Sequence, residues 1–241
     1  MKVVILAGGK GTRYDVDKPK SLATIGRKPI IHHLMEIYSE QGYNDFILAL
    51  GWRQEDIINY FLKKEHSFNI TFVDTKIESN TGKRLKLVEK YIPDEDENFL
   101  CNYSDGLANV DLMKLESRHI VHRNIATLTA IKPRNQFGIL IFDKNDNVIK
   151  FIEKPKMNQY INGGFFIFNK KIFNYIDNSK NQELEKDILS SLAEENKLGA
   201  YKHESFWKTL NTPKDEIELN IIYNKCIGQN KEPIWLKCKE I

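Results

Sequence analysis

Residues Val3 to Ala7 form an unbroken apolar run that ends on a pair of glycines. A run without polar alternation predicts a strand covered on both faces. The next segment, "PIIHHLMEIYSEQG", places Ile30, Ile31, Leu34, Ile37 and Tyr38 on one helical face. Pro29 suits the start of that helix and Gly42 its stop. The alternation then repeats. "DFILALG" predicts a buried strand, "RQEDIINYFLKKE" an amphipathic helix and "NITFVD" a third strand. "GKRLKLVEKYI" predicts a third helix and "NFLCNY" a fourth strand.

After residue 110 the pattern changes. "GILIFDKNDNVIKFIEK" predicts two strands around a turn rich in Asn and Asp. "INGGFFIFN" predicts a further strand, with a glycine pair where something approaches the backbone. Helices are expected around Leu184–Glu195 and Pro213–Ile227. Strand–helix alternation implies an α/β fold with a mostly parallel central sheet flanked by helices. With no linker or repeat in view, the expectation is a single domain over 1–241. Residues 1–110 would form a nucleotide-binding half and 111–241 an acceptor-binding half.

Composition narrows the class. At 241 residues, 41% hydrophobic and 29% charged, the chain suits a globular protein with a full core. The net charge of +3 and scattered basic residues give no reason to expect nucleic-acid binding. No apolar run is long enough to span a membrane, and the N-terminus lacks a signal-peptide pattern. Cys101, Cys226 and Cys238 have no metal-ligand spacing and are expected as reduced thiols in a cytoplasmic protein.

The first strand runs into "GGKGTR". A dinucleotide fingerprint would need glycine where Tyr14 stands, and the P-loop spacing is absent. Three glycines beside a cation still fit phosphate better than an empty strand exit. Backbone N–H groups from Gly8 to Thr12, flanked by Arg13 and by Lys20 of "DKPKSL", can hold a polyphosphate. Asp105 follows the fourth strand, where a parallel sheet presents its ligands. It can hold Mg²⁺ there; an ordinary Asp-Gly turn is the plainer alternative. His32 and His33, and His119 and His122, read as structural or surface pairs. Phe165, Phe166 and Phe168 read as core.

L-A-G-G-x-G-T-R followed by P-K resembles the signature of nucleotidyltransferases that make nucleoside-diphosphate sugars. "TGKRL", "YSDG", "FIEKP", "INGGFF" and "FWKTLNTPKD" resemble, in order, blocks of its cytidylyltransferase branch. The resemblance implies a Rossmann-like nucleotidyltransferase fold, CTP and a phosphorylated small molecule as substrates, Mg²⁺ as cofactor and pyrophosphate as product. Homo-oligomers are possible; no membrane or nucleic-acid partner is implied. Arg13, Lys20, Asp105 and Lys154 would be catalytic. Leu6, Ala7, Gly8, Gly9, Gly11 and Thr12 would contact the nucleotide. Thr81 and Gly82 would let the base approach, Arg84 would face cytosine, and Tyr103 would lie beside them. Glu153, Lys154, Asn162, Gly163 and Gly164 would bind the acceptor.

Ser104 stands where the family has glycine, and Asn211 where it has a second metal-binding aspartate. Asn211 is thus a weaker candidate ligand for Mg²⁺. These departures, and a chain shorter before "FVDT", turn the expectation from glucose 1-phosphate to another acceptor. The chain resembles cytidylyltransferases of capsule phosphoramidate assembly, whose acceptor is L-glutamine phosphate and whose product is CDP-L-glutamine. Glucose 1-phosphate, giving CDP-glucose, is the first alternative. A non-catalytic nucleotide-binding regulator is the second, and the incomplete dinucleotide pattern disfavours a dehydrogenase.

Overall fold

The structure is a computed structural model that describes residues 1–11, 14 and 17–237. Its centre is a mixed sheet whose first half follows the apolar runs. Strand β1 is Val3–Ala7, β2 Asp45–Leu50 and β3 Asn69–Asp74. Strand β4 is Asn98–Tyr103, β5 Gly106–Ala108 and β6 Ala126–Ile131. The order β4-β1-β2-β3 is parallel throughout. Helices α1 (Ile30–Ser39), α2 (Gln54–Leu62) and α3 (Thr81–Leu87) connect these strands. Helix α4 is Leu112–His122 and leads into β6.

Side chains of β1 show why the run has no polar positions. Val3, Ile5 and Ala7 join the core beneath α1 and α2, whereas Val4 and Leu6 join the core beneath α3. Successive strand residues point to opposite faces, so both faces demand apolar groups.

The second half completes the sheet. Strands β7 (Ile139–Phe142) and β8 (Val148–Ile152) form a separate hairpin. The predicted strand "INGGFFIFN" is broken into β9 (Ile161–Asn162) and β10 (Phe166–Asn169). Strand β10 pairs antiparallel with β4 and β6, and β9 pairs antiparallel with the end of β6. Strand β11 (Leu198–His203) runs parallel to β6 along its other edge. Phe165, Phe166 and Phe168 are fully buried, as the sequence implies.

A short helical segment opens as a π-turn over Leu184–Leu189 and continues as α5, Ser190–Glu194. Strand β12 (Trp207–Thr209) pairs with β5, and α6 spans Pro213–Gly228. Thr212 and Asp215 form a reciprocal capping box at the start of α6, with Pro213 in its first turn.

Among the described residues, none covers the apolar side chains of the β7–β8 hairpin. Ile139, Leu140, Ile141 and Phe142 are all exposed, as are Val148, Ile149 and Phe151. Because neighbours alternate between faces, both faces of the hairpin are open. An isolated two-stranded hairpin is marginal in water, and patches of this kind mark interaction sites. The chain is therefore expected to self-associate through this hairpin. Light scattering should give at least a dimer mass, and Ile149→Asp should lower it; a monomeric wild-type chain would refute the expectation.

Candidate active site

A cavity of about 390 Å³ opens at the carboxyl ends of β1 and β4. It gathers Leu6, Ala7, Gly8, Gly9 and Gly11 from the glycine turn, with Lys20 beyond it. Thr81 and Arg84 of α3, and Tyr103 and Asp105 from the end of β4, complete the set. Thr12 and Arg13 lie outside the described residues.

Two glycines of the turn have separate physical reasons. Gly11 takes a left-handed φ of +61° and its carbonyl accepts from the Tyr14 N–H at 2.8 Å, closing the turn. A Cβ at Gly8 would lie 1.8 Å from Arg84 Nη1. Gly8 thus gives the guanidinium its place.

Arg84 is 3% exposed. It donates to the Leu50 carbonyl at 2.9 Å, to Thr75 Oγ1 and to the Ser79 carbonyl at 2.8 Å. Much of its donor capacity thus anchors α3 to the ends of β2 and β3. Gly82 departs from expectation: a Cβ there would meet Ile188 Cδ1 at 2.6 Å and the Gln182 carbonyl at 2.9 Å. Its N–H donates to the same Gln182 carbonyl at 3.0 Å. Its smallness serves packing against Gln182 and the 184–189 segment.

At the far end of the cavity Lys20 Nζ forms an ion pair with Asp105. Asn211 Oδ1 accepts from the same ammonium at 3.4 Å. The backbone holds this trio together. Asp105 O accepts from Leu210 N at 2.8 Å and from Thr209 Oγ1 at 3.3 Å, joining the end of β4 to the end of β12. The sequence motifs around 20, 105 and 211 therefore converge on one point.

Two carboxylates escaped the sequence reading. Glu183 and Glu185 line the same cavity, and Glu185 accepts from Thr81 Oγ1 at 3.0 Å and from the Tyr103 hydroxyl. Burial, then the negative Glu185, raises the Tyr103 phenol far above its usual pKa, so it stays a donor. The available signal was the acid pair itself, indistinguishable from a solvated helix start. Only the π-turn swings it into the cavity.

The acceptor motifs divide. Lys154 adopts a left-handed backbone, φ +44°, a conformation that lysine rarely takes without a local demand. Its ammonium lies 3.4 Å from Glu153, and both side chains are more than half exposed. Lys154 lines a second cavity of about 960 Å³, whose wall also includes Asn211. Asn162 lines neither cavity and donates to the Tyr103 hydroxyl at 3.4 Å. Gly163 and Gly164 line neither cavity. What approaches their backbone is the chain itself. A Cβ on Gly163 would meet Ile131 and the Thr129 carbonyl at 3.0 Å, and one on Gly164 would meet Asn102 Oδ1 at 2.5 Å. The Gly163 carbonyl accepts from Trp207 Nε1 at 2.8 Å.

His32 and His33 both reach Glu36, at 3.6 and 3.4 Å, within the core beneath α1. His119 is buried between Thr127 and Asn98, and His122 is exposed. Cys101 and Cys226 are free thiols; Cys238 lies outside the described residues. Among the described residues no helix is long and apolar enough to cross a membrane.

The fold agrees with what comparison with known proteins shows. Residues 2–225 match the family model described as nucleotidyl transferase. A probable glucose-1-phosphate cytidylyltransferase of Bacillus subtilis is 39% identical over 98% of this chain and 100% of its own. Glucose-1-phosphate cytidylyltransferase of Salmonella typhimurium is 39% identical over 93% of this chain and 96% of its own. Among solved structures, HddC from Yersinia pseudotuberculosis complexed with GMP-PN superposes with a TM-score of 0.71. It is 26% identical, covering 91% of this chain and 98% of its own. The chain belongs to the nucleotidyl transferase family. It is an α/β enzyme of nucleotidyl transfer.

Proposed function

We propose that the enzyme is a cytidylyltransferase that joins CTP to an acceptor of the glucose 1-phosphate class, giving a CDP-linked sugar and pyrophosphate. The observation that carries the reading is the convergence of the glycine turn, Lys20 and Asp105 in one cavity, in a chain 39% identical to glucose-1-phosphate cytidylyltransferases. These relatives favour glucose 1-phosphate over the L-glutamine phosphate expected from sequence.

The chemistry needs little acid–base help. The acceptor phosphate is already ionised at neutral pH. One of its oxygens attacks the α-phosphorus of CTP, and the bond to the pyrophosphate oxygen breaks in line. The protein's task is placement and charge neutralisation. Backbone N–H groups of the turn and the Lys20 ammonium face the nucleotide phosphates. Lys154 draws the acceptor phosphate from the opposite side. Arg84, held by three acceptors, fixes the wall on which the base would lie.

The donor set fits Mg²⁺. Asp105 and Asn211 supply oxygen ligands where an ammonium already sits between them. The described residues form no group of three or more His, Cys, Asp or Glu able to hold a metal. Mg²⁺ commonly takes one or two carboxylates and completes its shell with water and substrate phosphates. When bound, it would neutralise charge developing on the phosphates.

Pyrophosphate release should be measured with Mg-CTP and glucose 1-phosphate, with UTP, ATP and dTTP as alternative donors and L-glutamine phosphate as an alternative acceptor. Turnover is expected to be greatest with CTP. No release from any pairing, with CTP binding retained, would favour a non-catalytic regulator. Preference for L-glutamine phosphate would replace the acceptor and keep the donor.

A further inference from the structure

The second cavity is more than twice as large as the first and has an unusual charge pattern. Six cationic side chains and three carboxylates line it, an excess of three that equals the formal net charge of the whole chain, +3. The charges separate by place. On the wall built from α6 and β12, Lys208 pairs with Asp215 at 3.0 Å and with Glu218 at 2.7 Å, and Lys214 lies 4.0 Å from Glu218. That wall is neutralised.

The opposite wall is not. It carries Lys132, Arg134, Lys154 and Lys156. Among the described residues no carboxylate lies within ion-pair distance of Lys132, Arg134 or Lys156, and Lys154 reaches only its own neighbour, Glu153. These cations are placed by the backbone. Arg134 and Lys156 face each other in an antiparallel bridge, and Met157 N donates to the Pro133 carbonyl at 2.8 Å. Arg134 Nη1 lies 3.5 Å from the Lys154 carbonyl. Lys132 Nζ sits 4.8 Å from the centre of the Tyr160 ring, a ring it shares with Lys202. Like charges crowded on one wall repel one another and favour an anionic visitor.

The cavity adjoins the reacting centre, because Asn211 on its wall contacts Lys20 of the nucleotide cavity. One cation, Lys154, suffices to meet the acceptor phosphate. Glucose 1-phosphate offers nothing but neutral hydroxyls to the other three. We propose that Lys132, Arg134 and Lys156 form a subsite for a second anionic group on the acceptor, a carboxylate or a further phosphate remote from the reacting one. The inference rests on the cytidylyltransferase reading and refines its acceptor class.

The test compares acceptors by pyrophosphate release with Mg-CTP. Glucose 1-phosphate carries one anionic group. Glucuronic acid 1-phosphate adds a carboxylate, and glucose 1,6-bisphosphate adds a phosphate. At least one two-anion acceptor should exceed glucose 1-phosphate in kcat/KM by about tenfold, and which one does so separates carboxylate from phosphate. The double variant Arg134→Gln/Lys156→Gln should reduce that advantage by at least about fivefold, through KM. Turnover best with glucose 1-phosphate, with a double variant that leaves the acceptor ranking unaltered, overturns the subsite and leaves the cytidylyltransferase reading standing. Anions that speed glucose 1-phosphate turnover without themselves accepting a nucleotide also overturn it, since they would mark an effector site. No release with any acceptor overturns the underlying reading instead.

Discussion

Asp105→Asn is expected to lower kcat by about 100- to 1,000-fold while the protein stays folded. The replacement keeps the side chain's shape and leaves the backbone contacts of residue 105 with Leu210 and Thr209 untouched. What it removes is the negative charge that pairs with Lys20 and offers Mg²⁺ its anionic ligand. Asn211 already contributes only a neutral oxygen on the other side. A second neutral amide would leave the proposed metal position with no anionic ligand from this trio, beside the uncompensated Lys20 ammonium. Losing one well-placed electrostatic partner in a transfer site typically costs this much rate. Pyrophosphate release across a magnesium titration, with a thermal melt as control, checks the result. Turnover within threefold of wild type would remove Asp105 from the reacting centre.

The parallel half of the sheet was legible because strands covered on both faces leave continuous apolar runs, as in β1 and β2. The trio Lys20, Asp105 and Asn211 was legible as separate motifs, Asp105 and Asn211 each just past a strand end and Lys20 beyond the glycine turn. Residues that work through packing were not. Gly82 and Gly163 look in sequence like glycines that admit a ligand; in the fold they admit Ile188 and the β6 backbone. Gly8 conveys no sign that its missing side chain houses a buried guanidinium. Glu185 is hidden for another reason: its direction depends on a π-turn, and helical periodicity cannot register a single added residue in a turn. The basic wall was scattered over 132–156, and only the Arg134–Lys156 bridge collects it.

The second large effect concerns acid. Burial lowers the His32 ring from an ordinary 6.5 to about 4, although the neighbouring Glu36 pulls the other way and Lys28, His33 and His66 add smaller downward pushes. Burial likewise lowers His119 to about 4, against the pull of Glu97. Both are therefore neutral in the folded chain at pH 6, whereas an unfolded chain binds a proton on each near 6.5. Their contribution to stability is full above about pH 6.5 and is lost as pH falls towards 4. At about 1.4 kcal/mol per pH unit, each histidine forfeits on the order of 3 kcal/mol, a large part of the 5–15 kcal/mol typical of a domain. Glu36 acts lower down. Burial alone would raise it, but hydrogen bonds from His33 and Lys28 hold it at about 2, so its share is lost between 4.5 and 2. Unfolding midpoints in denaturant should thus fall steeply from pH 6.5 to 4.5, ahead of most of the loss from Glu36. His119→Asn is expected to flatten part of that slope, because an amide in the same place near Thr127 and Asn98 does not titrate. A midpoint constant from pH 7 to 4.5 would show that neither ring is held neutral by the fold.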